Sequence, residues 1–253
     1  MILSCISILG IFFNSFQMKT DTIINTFASS QLTYERVQVA YQEKDTVLQK
    51  VFMDSIGIYP PTQVFFRAFK NESTFEVWAL HPVTNTFHFI KKYSICKKSG
   101  VIGPKREEGD RQVPEGFYTI NVYNPESNFF LSLGLNYPNT SDSILTTNKE
   151  APGGDIYIHG DCLSIGCLPL TDEYIKEVYL IAMYAHSAGQ EVIPVHIFPF
   201  NYAKPIYDKL LANYSNPVLK AFWYNLKEGF DYFQKNKRLP HVIVLPDGTY
   251  QFN

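Results

Sequence analysis

The sequence predicts a mixed α+β fold in which a β-rich core lies between helical segments at both ends. Three observations carry that reading. Short runs with apolar alternation, bounded by Gly, Pro, Asn or Asp, cluster between residues 64 and 133 and recur near 156 and 191. Apolar residues spaced by three or four occupy 30–57, 172–187, 204–212 and 217–235. Finally, 45% hydrophobic and 15% aromatic content in 253 residues is ample for a packed core and excludes a disordered chain.

The chain opens with an uncharged apolar run from Met1 to Phe16. It falls short of the roughly 20 residues that span a bilayer, but its size suits the core of an export signal. Thr26-Phe27-Ala28 is the best cleavage candidate, so a signal peptide is expected over 1–28, and an uncleaved anchor is the alternative. Export would deliver the protein to the periplasm or cell envelope. An N-terminal helix follows over 29–58, with Ser29 and Ser30 as caps and Gly57 as its end.

Tyr59-Pro60-Pro61 breaks the chain, and strands are expected at 64–69, 75–80 and 86–93 as a meander. Residues 97–111 carry too many glycines and prolines for a regular element. Strands resume at 117–123 and 129–133, before a loop rich in Asn, Ser, Thr and Pro over 136–154, long enough to suspect a wall or lid. After the helix at 172–187 come a strand at 191–198, two helices and a hairpin (242–245 and 250–252) turning on Asp247-Gly248. The expected organisation is a catalytic core over 59–200, with C-terminal helices and hairpin over 201–253 packed on it. A formal charge of -2 argues against a nucleic-acid partner.

The stretch D-I-Y-I-H-G-D-C-L-S-I-G-C-L-P-L-T-D, from Asp155 to Asp172, concentrates the chemistry. A short strand ends on His159. A tight loop delivers Cys162 and Cys167, and Thr171 caps the next helix. A cysteine attacks as its thiolate and needs a base or positive potential to lower a pKa of about 8.5; His159 is the histidine nearby. Gly166 allows a tight turn and frees amides around Gly166 and Cys167 to face a developing oxyanion. Ser164 can hydrogen-bond within the loop. This pattern suits a cysteine acyl-transferase or amidase that needs no cofactor.

Plainer readings stand beside it. Cys162 and Cys167 can close a small-loop disulfide, can join His159 in a zinc site, or can be structural thiols. With Cys5 in the apolar run, the other three cysteines are odd in number, which favours one free thiol.

The string His159-Gly160-Asp161-Cys162-Leu163-Ser164-Ile165-Gly166-Cys167 resembles the catalytic signature of the YkuD-type L,D-transpeptidases, in particular the YafK-like branch with its H-G-x-C-x-S-x-G-C pattern. Gly103-Pro104-Lys105, the run from Gly109 to Gly116, Asn128 to Leu133 with Tyr137-Pro138, and Phe222-Trp223 through Phe233 support the resemblance over about residues 32–252. The departure is Ile165, where the broader family carries a histidine.

The resemblance implies a β-sandwich-type core and a cysteine enzyme acting on peptidoglycan stem peptides, with Cys167 as nucleophile, His159 as general base and the Gly166 and Cys167 amides as oxyanion hole. An L,D-transpeptidase is expected. The alternatives are an L,D-carboxypeptidase or endopeptidase that trims or detaches wall peptides or a wall-linked lipoprotein, and a non-catalytic wall-binding module. Lys105, Arg106 and Arg111 are candidates for stem carboxylates, Tyr137 for the cleft wall, and Asp161 for orienting His159. His81, His88, His186, His196 and His241 are read as structural. The expected partners are stem peptides, with a wall-attached lipoprotein as a further candidate, and the membrane is reached only through an uncleaved N-terminus.

Overall fold

The computed structural model describes residues 27–253, so the apolar run and most of the expected signal peptide lie outside the described residues. The boundary expected at residue 28 falls inside a first helix, α1 (Phe27–Gln31). Ala28 there is buried and donates its N–H to Ser187 Oγ at 2.9 Å, so a chain trimmed to residue 29 would lose that contact. The single helix expected over 30–57 is two. Ser29 and Ser30 lie within α1, and α2 (Glu35–Ile56) begins afresh after Tyr34 and ends on Gly57 in the left-handed conformation (φ 71°).

Strands β1 (Val64–Phe69), β2 (Thr74–His81) and β3 (Thr86–Ser94) form the expected antiparallel meander. β4 (Gly116–Asn124), β5 (Ser132–Leu135), β6 (Tyr157–His159), β7 (Leu168–Pro169) and β8 (Pro194–Phe198) complete one eight-stranded sheet in the order β3-β2-β1-β8-β4-β5-β6-β7. β8 pairs parallel to β1 and antiparallel to β4, which joins the meander to the half carrying the sequence motif. The fold is thus the mixed α+β, β-rich core with helices at both ends that the sequence predicts.

Both faces of the sheet are covered. Phe66, Ala68, Val195 and Ile197 pack with α2 and α4 (Asp172–Ser187). On the other face Phe69, Phe117 and Phe198 meet α5 (Ile206–Asn213), α6 (Pro217–Asn236) and the hairpin of β9 (Val242–Val244) and β10 (Tyr250–Phe252). Double coverage explains why all six residues of β1 are buried although one of them is Arg67. Its guanidinium grips Glu76 Oε2 at 2.7 and 2.9 Å between the rings of Trp78 and Phe233.

For the same reason α4, expected to bury one face, is buried nearly all round. The loop over 136–154 is not irregular throughout. Asn139 and Asp142 form a reciprocal capping box that nucleates a short helix, α3 (Thr140–Leu145). The strand expected at 129–133 begins three residues later, at Ser132, because Phe130 adopts positive φ and turns the chain into it.

Candidate active site

β6 is three residues long and anchors the site by its register. Ile158 pairs with Leu168 and His159 with Pro169 in a parallel ladder. Ile158 and Leu168 point into the core, so their chain neighbours His159 and Cys167 fall on the opposite side of the strands. The His159 ring is buried beneath Phe129, whose ring centroid lies 4.6 Å away. His159 Nδ1 sits 2.5 Å from the Gly160 carbonyl oxygen. That oxygen only accepts, so Nδ1 carries the proton and Nε2 is left as the basic nitrogen. Burial lowers the imidazole pKa from its usual value, while the Gly160 carbonyl and Asp161 pull the other way; the resting ring is neutral.

Asp161 contributes that charge but does not hold the ring. Its own N–H donates to Asp172 Oδ1 at 2.8 Å, which fastens the loop to the first turn of α4. Gly160 is required here by space: a Cβ would come within 2.5 Å of Asp172 Oδ1 and 2.7 Å of the Phe129 carbonyl.

The cysteines are sorted differently from the small-loop disulfide weighed from the sequence. Cys162 is bonded to Cys96, which comes just after β3, and Cys167 is the free thiol among the described residues. Cys162 and Cys167 are held apart by Ser164, whose Oγ donates to the Cys167 carbonyl at 2.9 Å and accepts the Gly166 N–H at 3.2 Å. The zinc alternative falls with it, since Cys162 has no thiolate to offer, and no group of His, Cys, Asp or Glu able to hold a metal ion occurs among the described residues. The Gly166 amide is thereby occupied, which leaves the Cys167 amide as the candidate oxyanion donor.

The Cys167 thiol donates to the Asp155 carbonyl at 3.6 Å. Burial pushes its pKa up, the Tyr157 amide draws it down, the Asp155 carboxylate pushes it up and Lys105 draws it down. Among the described residues the thiol and the imidazole do not hydrogen-bond each other. The resting pair is a neutral thiol and a neutral imidazole on one side of the sheet edge.

The other motif pieces converge on two carboxylates that sequence reading did not single out. Glu115 is fully buried, accepts from the Gly103 N–H (2.7 Å), Lys70 Nζ (2.9 Å) and Trp223 Nε1 (2.8 Å), and so ties the Gly103 turn to β1 and α6. Asp110 would be raised by its burial, but bonds from Lys105 Nζ and the Arg106, Gln112 and Glu107 amides hold its pKa below the usual carboxylate range. Lys105 is therefore inward, paired and within electrostatic reach of the thiol.

Arg106 is turned to Asp142 (3.1 Å), and Tyr137 is buried with its hydroxyl on the Pro152 carbonyl at 3.0 Å. Arg111 is exposed at positive φ (57°), with no ion pair among the described residues. Ile165 is 79% exposed at the loop tip. Of the residues missed, Cys96 was signalled by the odd cysteine count. Phe129 and the Asp155 carbonyl had no sequence signal.

The chain thus carries a buried imidazole at the end of β6 and a free thiol on the loop just before β7. The chain belongs to the YkuD family, L,D-transpeptidase catalytic domain, whose family model matches residues 84–197. It is 34% identical over 189 residues to YafK from Escherichia coli strain K12, which its name assigns to the L,D-transpeptidases, covering 74% of this chain and 72% of that protein. YafK from Escherichia coli O157:H7 matches equally.

Among solved structures, the helical cell shape determining protein Pgp2 from Campylobacter jejuni superposes with a TM-score of 0.43 at 17% identity over 79% of this chain and 80% of that one. For a mutant of it the values are 0.43 and 20%, with 64% and 57% covered. Bd1075 from Bdellovibrio bacteriovorus gives 0.39 and 17%, with 70% and 59% covered.

Proposed function

We propose that this protein is an exported L,D-transpeptidase of the cell wall, acting on peptidoglycan stem peptides through a thioester on Cys167. The observation that carries the reading is the β6–β7 register, which brings the strand ending on the neutral His159 against the strand that directly follows Cys167, the free thiol among the described residues. Family membership supports the substrate class. The Cys96–Cys162 disulfide supports an oxidising compartment such as the periplasm.

The stem lies with its diaminopimelate carbonyl at Cys167. His159 Nε2 takes the thiol proton as sulfur attacks, and the oxyanion is met by the Cys167 N–H. Collapse breaks the amide to the terminal D-Ala, whose nitrogen receives the proton from His159, and leaves the stem as a thioester. An incoming amine then attacks the thioester carbonyl, His159 takes its proton and returns it to the departing Cys167 sulfur, and the stem is joined to a new partner. Because the thiol starts protonated, attack and proton transfer are coupled, and no preformed thiolate–imidazolium pair is needed.

The test is intact-protein mass spectrometry after incubation with a diaminopimelate-containing tetrapeptide stem. The expected result is a mass gain equal to the stem minus D-Ala, absent in Cys167→Ala, and discharged by an added amine. Discharge to water at an undiminished rate in the presence of amine would make it a carboxypeptidase. No adduct and no D-Ala release would sink the catalytic reading and leave a wall-binding module.

A further inference from the structure

A cavity of about 520 Å³ lies between strands β4 and β8 and the C-terminal hairpin, with the turn over 136–140 as its third wall. Neither His159 nor Cys167 lines it, so its occupant is not the reacting carbonyl. Its volume falls within the range of small-molecule sites, about 300–1,000 Å³. The three walls are pinned together by Asn139, whose Nδ2 donates to the Phe117 carbonyl on β4 at 3.0 Å and to the Tyr250 hydroxyl on β10 at 3.1 Å.

One side chain in it points to a ligand. His196 on β8 is 4% exposed and lines the cavity. Its ring touches Phe65, Phe117 and Phe198, and neither nitrogen has a hydrogen-bond partner among the described residues. The polar side-chain atoms that are both sealed and unpartnered belong to Arg67, Ser73 and His186, so the His196 nitrogens still meet the cavity. A neutral imidazole there offers one N–H and one lone pair, and leaving them unused is costly. Asn136 stands in the same lining. Thr119 N–H holds its Oδ1 at 2.8 Å, which leaves Nδ2 free among the described residues.

The lining excludes several ligand classes. It carries no charged residue, and burial followed by Arg67 pushes the His196 pKa down to about 3, so an ionic ligand finds no counter-charge. A purely apolar ligand would strand the imidazole and the Asn136 amide. An added peptide strand needs an open sheet edge, whereas β4 and β8 are both paired on two sides. An uncharged ring with polar edges and apolar C–H faces satisfies all three conditions. That is a sugar.

Resting on the wall substrate proposed above, we infer that this cavity binds the glycan strand of peptidoglycan through an N-acetylated amino sugar. His196 and Asn136 meet its hydroxyl and acetamide groups, and Pro138, Pro194 and Pro240 pack on its C–H faces. The protein then holds the wall by its glycan at one place and works on the stem at another.

Calorimetric titration of the protein with triacetylchitotriose tests this, beside the same trimer stripped of its acetyl groups, which carries an ammonium on each ring. The acetylated trimer should bind saturably, with a dissociation constant of about 1 mM or below, and the charged trimer should not. His196→Phe keeps the ring and removes its nitrogens; it should weaken binding about tenfold, the size of one lost hydrogen bond. Thr140→Trp, at an exposed position on the rim, should block entry while the melting temperature holds.

If the acetylated trimer does not bind, if both trimers bind alike, or if both variants bind as the parent does, the sugar site is overturned. Should a thioester still form on a soluble stem in that case, the cavity alone has failed. Sugar binding without any thioester keeps the cavity and sinks the transpeptidase reading.

Discussion

The two ends of the eight-stranded sheet are held together by different means. At the β1–β2–β3 end, strands of six, eight and nine residues form long antiparallel ladders. At the β5–β6–β7 end the strands shrink to four, three and two residues. There the missing rungs are replaced by the Cys96–Cys162 bond, by the Cys96 N–H on the Pro169 carbonyl (3.0 Å) and by the Leu170 N–H on the His159 carbonyl (2.7 Å).

Long ladders tie up most of the backbone amides that face a neighbouring strand. Short ones leave amides and side chains to face a substrate, and rigidity must then come from covalent and side-chain bonds. Chemistry sits where the sheet stops being regular.

The comparison breaks most sharply at the thiol. Cys167→Ala should abolish thioester formation, a loss of at least about a thousandfold in kcat, yet leave the thermal melt almost unmoved, since the thiol makes only weak bonds, to the Asp155 carbonyl and from the Tyr157 amide. A melt shifted by many degrees would mean that the thiol is structural.

Next comes the disulfide. Cys96→Ser/Cys162→Ser opens a loop of 66 residues, and chain entropy puts the loss near ~4 kcal/mol of unfolding free energy. Urea denaturation should show it, with thioester formation failing at lower urea than loss of the β1–β3 meander. Coincident transitions would show the two ends to be one cooperative unit.

A third test is the pH dependence of stability in the half away from the site. His196, fully buried among Phe65, Phe117 and Phe198, has its pKa pushed down to about 3 by burial and then by Arg67. The unfolded chain, with its imidazole near 6.5, binds a proton that the folded chain refuses. This group's share of stability is therefore complete above about pH 6.5 and falls by about 1.4 kcal/mol per unit down to about 3. His196→Phe should flatten the acid limb of stability measured by denaturant titration; an unchanged slope would remove His196 as its source.

The smallest effect is expected at Phe129. Its ring helps bury His159 and so keeps the imidazole pKa low. Phe129→Ala should lower kcat by about tenfold and move the acid limb of kcat/KM up toward the ordinary imidazole value of about 6.5. A fall in kcat without that movement would make Phe129 a packing residue only.

Much of this was legible in the sequence because local signals agreed with the fold. The meander, Asn216 capping α6 with Pro217 after it, and the Asp247-Gly248 hairpin all appear where turn chemistry puts them. The stretch that carries His159 and Cys167 stood out in the sequence because the motif is contiguous. What was not legible depends on contacts far apart in the chain. Cys96 meets Cys162 across a separation of 66 residues, and nothing local distinguishes that pairing from Cys162 with Cys167. The two-residue β7 is too short for any periodicity to reveal. Lys105 and Arg106, which look like solvated charges, are turned inward by Asp110 and Asp142.

The disulfide also poses a sorting problem during biogenesis. Three thiols at 96, 162 and 167 admit the pairings 96–162, 96–167 and 162–167, and only the first leaves Cys167 free. The pairing at 162–167 closes the smallest ring and has a head start on a nascent chain. A polypeptide oxidised before its sheet edge has formed would therefore tend to trap the Cys167 sulfur. Yield of active enzyme then becomes a matter of timing, in which oxidation must wait for β3 to reach the β6–β7 loop, or an isomerase must undo the shorter ring.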